Sequence, residues 1–473
     1  MMKSTLSLSA AIFVCMWLSG CTDANSQQAE NADKAFKPQV KIKLGVQSSA
    51  ATKDLERQLD DFNANHAAYK VELMPLPTDG YDETLNMLMT SGQAPDVFQI
   101  GTDWLTTYVY KNWLQDLSEI VDGKISEHFP RWAAEYTKEN EHYYAVPSSM
   151  MTLRLVYNKD LLKAGTGCLE GKPPATLDEL RVCADSITKA GTGYRKYGFA
   201  LPAGEDWAGF IQPLELANTY SGIDYYDFAH GRYDFTVYRP WFETILAMKR
   251  EGGLFPGEIS LKSDTALTQF AQGNIGMMYM SNRDFAQFSA MDAHAFQWGV
   301  AMPPLLDASL KGKGALIIYP DPPFVINAFS EHKQEAAELW EFLQSPSFLG
   351  ALYKQGNLIP TRQDVTGDSG NQPLLPEFEA FLPGSEESPY PQEPKFILQD
   401  APSSSGPKNI GDSLRMKVYR QIVEGVEKPE AALEALTELY NKSLNEAKTA
   451  KLINIDHYVF PSFDPLHPLL ENQ

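Results

Sequence analysis

Histidine, cysteine and positive charge are all scarce in this chain, and each shortage removes a class of function. Its 473 residues include eight histidines and four cysteines. The histidines are scattered, with His457 and His467 in a Pro-rich tail, and no His-Glu-x-x-His run or third thiol accompanies Cys168 and Cys183. Metal binding therefore has no support in ligand spacing. Forty Lys and Arg stand against 61 Asp and Glu, a net charge of -21. Such an excess of acid argues against nucleic acid as a partner and against docking by charge on anionic lipid. Gly-x-Ser-x-Gly, Walker A and Gly-x-Gly-x-x-Gly runs are missing as well, so no cofactor is expected. Beyond the first twenty residues, no apolar stretch reaches the ~18 residues that suggest a transmembrane helix.

The start of the chain has a composition of its own. Lys3 gives a positive beginning, Leu8 to Leu18 is mostly apolar, and Ser19-Gly20 are small residues ahead of Cys21. This reads as a lipoprotein signal peptide over residues 1–20, with Cys21 the first residue of the mature chain. A diacylated Cys21 carries two acyl chains, which is what stable anchoring requires. Loss of Lys3 with the leader takes the charge from -21 to -22. Residues 21–38, rich in Gln, Asn, Ala and charge, read as a flexible tether with a reach of roughly 20 Å. The expected location is the periplasm or cell surface. Cys15 leaves with the leader and Cys21 carries lipid, so Cys168 and Cys183 remain. In an oxidising compartment a disulfide is the simplest reading, and two buried thiols are the other.

The body begins with Val40 to Val46, whose alternation marks a strand. Leu55, Leu59 and Phe62 follow at helical spacing. Tyr69 to Met74 alternates again, Tyr81 to Met89 is helical, and Asp96 to Ile100 is a short apolar strand. Strand, helix, strand, helix, strand implies a parallel sheet covered by helices. Val156-Tyr157 ends another strand, and Thr176 with Glu179 forms a capping box for a helix through Cys183. Helices are expected at Trp241–Arg250, Ala266–Gln272, Glu331–Leu343, Pro346–Lys354, about Ile410–Glu424 and Pro429–Lys448, and a strand at Gly276–Tyr279. Between Asp364 and Pro407 the chain is rich in Pro, Gly and Ser and is expected to form a long surface segment. A body of this size exceeds what one core usually serves, so two lobes are expected.

Five short motifs stand in one order. Ser91-Gly92-Gln93-Ala94-Pro95-Asp96-Val97 comes first, then Tyr144-Ala145-Val146-Pro147 with Leu155-Val156-Tyr157-Asn158-Lys159-Asp160-Leu161-Leu162. Phe270-Ala271-Gln272-Gly273-Asn274-Ile275-Gly276-Met277-Met278 follows, then Glu335 to Leu343 and Gly356-Asn357-Leu358-Ile359-Pro360-Thr361-Arg362. Behind a lipoprotein leader, this series resembles the bacterial extracellular solute-binding proteins, the family that includes maltose-binding protein. The resemblance implies an α/β, two-lobe periplasmic-binding-protein fold, with hinge segments and a ligand cleft between the lobes. One lobe takes residues 39–148 plus 324–362; the other takes 149–323 plus 363–473 with the C-terminal helices. It further implies capture of a carbohydrate, an oligosaccharide by preference, through hinge closure and delivery to the permease subunits of an ABC importer, by a monomer that performs no chemistry.

Sugars offer hydroxyls to carboxylates and amides, and flat C–H faces to aromatic rings. On the family pattern the candidate ligand residues are Gln47 and Ser48 past the first strand, Asp103 and Trp104 after the Asp96 strand, and Ser148 at the first crossing. Glu205 and Trp207 follow Tyr197 to Leu201, at a strand end where open α/β folds bind ligands. Ser281, Asn282 and Arg283 stand where family members often carry a tryptophan; an arginine there suits hydroxyls, uronic acids or sulfated sugars. Tyr319 and Asp321 sit on a stiff turn before a crossing strand. The carboxylate that the maltose binder carries near Met151 is missing, which argues against maltose. Other readings are a membrane-anchored carbohydrate-active enzyme, whose two carboxylates would have to flank one glycosidic bond, a surface-displayed glycan binder that feeds no transporter, and a binder of a non-sugar solute such as a polyamine or phosphate ester.

Overall fold

A computed structural model describes residues 40–469 apart from 50, 67, 79, 122–125, 292–295 and 396–411. The leader, Cys21 and the 21–38 tether lie outside the described residues. The chain separates into Met1–Val40 and a compact unit Lys41–Gln473, and the architecture below is that of the second.

In the Val40–Gln47 strand the alternating pattern buries Ile42 and Leu44 and turns Lys41 and Lys43 outward. Its neighbours in a four-stranded sheet are Tyr69–Leu76 on one side and Val97–Gln99 on the other, with Phe324–Ile326 at the far edge. Val97–Gln99 runs parallel to the first strand, as the alternating order requires, but Phe324–Ile326 pairs antiparallel. The sheet is therefore mixed rather than wholly parallel, because its edge strand arrives from more than two hundred residues downstream instead of through a local crossover. Gly45 is needed where Pro95 closes on the strand: a Cβ there would lie 2.6 Å from the proline ring. Helices Thr52–Asn65 and Tyr81–Ser91 cover the sheet through Leu55, Leu59, Phe62, Leu85 and Met89.

A second four-stranded sheet has the order Trp298–Ala301, Leu153–Asn158, Ile275–Ser281, Tyr197–Phe199. Every residue of Ile275–Ser281 is buried, which is why it reads as an unbroken apolar run rather than an alternation. Helix Leu177–Ala190 starts at Thr176, whose side chain accepts from the Glu179 amide. The Glu179 carboxylate reaches the Ala175 amide instead of completing the box on Thr176. Cys168 and Cys183 are joined by a disulfide, which ties this helix to the loop before it. Helices Asp412–Glu424 and Pro429–Thr449 share a core with this sheet through Met416, Tyr419, Ile422, Leu433, Leu436 and Tyr440.

Three short strands make a separate sheet: Ser149–Met151 in the middle, with Tyr319–Pro320 and Ile359–Pro360 antiparallel on either side. Thr361 fastens to it twice, by its amide to the Ser148 carbonyl and by its hydroxyl to the Pro147 carbonyl.

The segment after Asp364 departs from a simple surface course. Phe378 and Phe381 are fully buried, with Phe378 against Phe285 at 5.2 Å between ring centres. Arg154 of the Leu153–Asn158 strand donates to the Ala380, Phe381 and Leu382 carbonyls and to both oxygens of Glu387. The apolar residues of this stretch lack periodicity because they fill gaps one at a time. Residues 396–411, the rest of the expected segment, lie outside the described residues. Among the described residues no helix is long and apolar enough to cross a membrane.

Candidate functional site

The crossing sheet carries the centre of the site. Tyr319 lies on its edge strand, and the Trp207 ring stands edge-on to it with centres 5.1 Å apart. On the other side the Tyr319 hydroxyl hydrogen-bonds Tyr136, which also bonds the Thr102 hydroxyl. Burial, seconded by the charge of Asp103, pushes the Tyr136 phenol well above its ordinary range, so it stays neutral. Tyr136, Tyr319 and Trp207 thus form an aromatic run. It starts just after helix Arg131–Glu135, crosses the hinge-like sheet, and ends on the helix Trp207–Leu216 that follows the Tyr197–Phe199 strand. That last helix has π-type winding with Pro213 inside it. Such winding is rare and recurs at functional sites, since it rotates a side chain off the regular face.

Asp321 follows the same edge strand. Its carboxylate accepts from the Ser149 hydroxyl at 2.5 Å and pairs with the Arg283 guanidinium. Its amide donates to the Ser149 carbonyl, so the turn is fixed at both ends. Arg283, a candidate for a ligand carboxylate, is therefore engaged with an acid of the protein. Ser281 and Asn282 are turned inward. Ser281 caps helix Asn282–Ser289 in a reciprocal box with Asp284, and the Asn282 amide group bonds the Thr152 amide and the Met150 carbonyl. Both are essentially inaccessible and brace the end of the central strand rather than face a cleft.

Asp103 is half-exposed at the start of helix Thr102–Tyr110, with the Lys395 ammonium 3.8 Å away. Beneath it lies Asp82, whose carboxyl is pushed up from 3.8 to about 7 by burial first and by the charges of Asp103 and Glu83 next. Trp104 packs on the core of the first sheet, edge-on to Tyr108. Gln47 and Ser48 leave the first strand with the Gln47 amide bonded to the Gln99 side chain and Ser48 exposed. Ser148 is buried at the crossing sheet. The Glu205 carboxylate accepts from the Ser263 amide, one residue pair before Trp207.

Several residues that the sequence did not single out converge on the same place. Lys395 donates to the Thr102 carbonyl and lies over the Tyr136 ring at 5.6 Å. The Gln392 amide group donates to the Tyr136 carbonyl. Glu393 accepts from the Tyr225 hydroxyl at 2.5 Å and faces Arg415, which stacks on the Tyr225 ring at 4.7 Å. Burial raises the Glu393 carboxyl, and the guanidinium opposes that rise. Asp224, close by, is pushed to about 7, by burial above all. The nearest sequence signal was the spaced prolines Pro389, Pro391 and Pro394, which mark an extended run able to lie along a groove. Among the described residues no group of three or more His, Cys, Asp and Glu is arranged to hold a metal ion.

Residues 45–347 match the model of the family described as bacterial extracellular solute-binding protein. The chain is 27% identical over 121 residues to a maltotriose-binding protein of Pyrococcus abyssi, a match that covers 26% of this chain and 24% of that protein. It is 23% identical over 417 residues to a galactooligosaccharide-binding protein of Bacillus subtilis, covering 84% of this chain and 90% of the relative. The chain thus spans about a quarter of the first relative's length and most of the second's. Among solved structures, the GacH receptor of Streptomyces glaucescens, described unliganded and with acarbose, superposes with a TM-score of 0.70 at 17% identity, covering 86% of this chain and 99% of that one.

Proposed function

The chain belongs to the bacterial extracellular solute-binding protein family, and from that premise we propose that it captures a carbohydrate, an oligosaccharide by preference, between its two lobes and delivers it to an ABC importer. The lobes are residues 39–148 plus 324–362 and residues 149–323 plus 363–473, and the Ser149–Met151 sheet is the hinge. Lipid on Cys21 holds the protein at a membrane surface, in the periplasm or on the cell surface, near the permease it serves. The protein acts as a monomer and releases its ligand uncut.

One observation carries the reading: the run Tyr136, Tyr319, Trp207. Aromatic faces joined across a hinge sheet, with Asp103, Glu205 and Asp321 beside them, suit a ligand made of flat C–H faces and hydroxyls. The relatives named for maltotriose and galactooligosaccharide binding support the same class. Hinge closure on such a ligand changes the relative position of two rigid bodies, a signal that a membrane partner can read.

Titration calorimetry of a maltooligosaccharide and galactooligosaccharide panel tests this. Binding is expected at micromolar constants, about -8 kcal/mol. Trp207→Ala is expected to weaken it at least tenfold, about 1.4 kcal/mol, and an unchanged constant would remove the stacking role. Chromatography of the glycans after incubation is expected to return them intact; shortened chains would transfer the reading to a carbohydrate-active enzyme.

A further inference from the structure

The five residues Pro391–Lys395 lie across the site described above, and their contacts fall on both of its walls. Upstream they are anchored. Glu387–Ser388 pairs in parallel with Leu316–Ile317, and Arg154 clamps Glu387. Tyr390 belongs to that anchor: it is buried in the core of the second sheet against Phe463, with its hydroxyl among the Ala315, Thr219 and Pro465 carbonyls. Glu393 continues on that side with Tyr225 and Arg415. Gln392 and Lys395 reach the opposite side, to the Tyr136 and Thr102 carbonyls and to Asp103. An amide, a carboxylate and an ammonium thus hold the polar atoms that a sugar's hydroxyls would need. Pro391 and Pro394 keep the run extended and deny it helix or strand pairing.

How the run is held matters as much as where it lies. Among the described residues, no backbone-to-backbone hydrogen bond fastens residues 389–395 to the rest of the protein. Side chains and the Lys395 amide, which donates to the Tyr458 hydroxyl, supply the attachment, and a segment without ladder bonds sits at the low end of local stability. It is tied at its upstream end to a rigid strand pair, so its side chains face the cleft at the millimolar effective concentrations typical of short tethers.

We propose that Pro391–Lys395 is a built-in occupant of the cleft, which bridges the two lobes in the ligand's absence and must be displaced for a solute to bind. The inference rests on the reading of this cleft as the solute site. An occupant of this kind divides the apparent affinity by its own occupancy ratio, so weakening it tightens solute binding. It also sets a threshold: solutes that bind weakly fail to dislodge it.

The test uses the full chain and the triple variant Gln392→Ala/Glu393→Ala/Lys395→Ala, with maltotriose as the sugar probe. One arm needs no sugar. Spin labels at Thr90→Cys and Lys163→Cys, both exposed and on opposite lobes, report the distance across the cleft by pulsed dipolar spectroscopy. The variant is expected to show a longer and broader distribution than the parent, and an unchanged distribution overturns the proposal. The second arm follows hydrogen exchange at the Lys395 amide, which donates to the Tyr458 hydroxyl, together with maltotriose affinity. Sugar is expected to speed exchange there, and the variant to bind at least tenfold tighter. Slower exchange with sugar, joined to weaker binding by the variant, would make the segment a wall of the site and overturn the proposal. If neither chain binds maltotriose or the wider panel, the carbohydrate reading fails while the first arm still decides the occupant.

Discussion

Arg154→Met is the substitution whose cost the structure sets most narrowly. The guanidinium side chain is 5% exposed and its partner, the Glu387 carboxylate, 1%. Two hydrogen bonds run to the carboxylate at 2.7 and 2.9 Å, and others run to the Ala380 and Leu382 carbonyls at 2.8 and 2.9 Å. Methionine keeps most of the stem's apolar contact but removes every donor. Glu387 is then a buried charge with its partner gone, and the carbonyls lose their donors where water does not reach. Breaking a buried pair from one side costs about 3–5 kcal/mol. The expected result is a fall of that size in urea unfolding, seen as a lower midpoint at unchanged slope. Glu387→Leu alone should cost less, because an arginine left behind still has carbonyls to bond. The double variant Arg154→Met/Glu387→Leu should recover part of the loss, since no charge remains buried. A fall below about 1 kcal/mol for Arg154→Met, in the range of exposed pairs, would refute the view that residues 380–387 are built into the lobe.

Asp82→Asn should change the pH dependence of stability. The folded carboxyl is raised from 3.8 to about 7, so the folded state holds a proton that the unfolded chain releases. The stability this contributes is complete below about pH 4 and is lost as pH rises through 7. The variant should therefore flatten the fall between those values and be the more stable protein at pH 8 by thermal unfolding; a parallel pair of pH profiles would refute the assignment. Gly198→Ala should destabilise by roughly 1–3 kcal/mol, because its Cβ would sit 2.0 Å from the Ala184 carbonyl oxygen in the covering helix. Denaturant unfolding checks it, and a neutral result would mean that the helix retreats freely. Replacing both Cys168 and Cys183 by alanine should cost about 3 kcal/mol by loop entropy, measured the same way, and a loss under about 1 kcal/mol would mean that the loop is held without the bridge.

What the chain disclosed in advance follows the range of the forces involved. Helices and strands set by local period appear where the pattern puts them, as with Pro346–Lys354 and Val40–Gln47. The strand that begins at Phe324 was legible behind its proline turn, but its antiparallel place at the edge of the first sheet was hidden, since nothing local to it records that its partner is Val97–Gln99. Phe378 and Phe381 were hidden for a similar reason: single aromatics in a Pro- and Gly-rich stretch carry no period, yet each fills a gap between elements. Ser281 and Asn282 had a readable signal that pointed away from a ligand. A serine three residues before an acid at a strand end is a capping box, and the structure uses it as one. The Glu393–Tyr225 contact joins residues 168 apart, and no motif spans that distance.

The site's electrostatics bear on what it should accept. Glu215, Asp224 and Glu393 all act on the single guanidinium of Arg415, with Glu215 3.2 Å from it. Burial raises the Asp224 and Glu393 carboxyls, Arg415 opposes both rises, and Lys395 opposes that of Glu393 as well. With Pro391–Lys395 in place, the third acid is accommodated because the Tyr225 hydroxyl of the wall donates to Glu393 and the segment brings the Lys395 charge with it. A second anion in that position would meet the same crowding without the accompanying lysine. A neutral polyol would instead leave two acids for Arg415 and give them hydroxyl donors. If the proposed site takes its ligand beside Arg415, charge alone should favour an uncharged sugar over the uronic or sulfated sugars that Arg283 suggested before its guanidinium was found on Asp321.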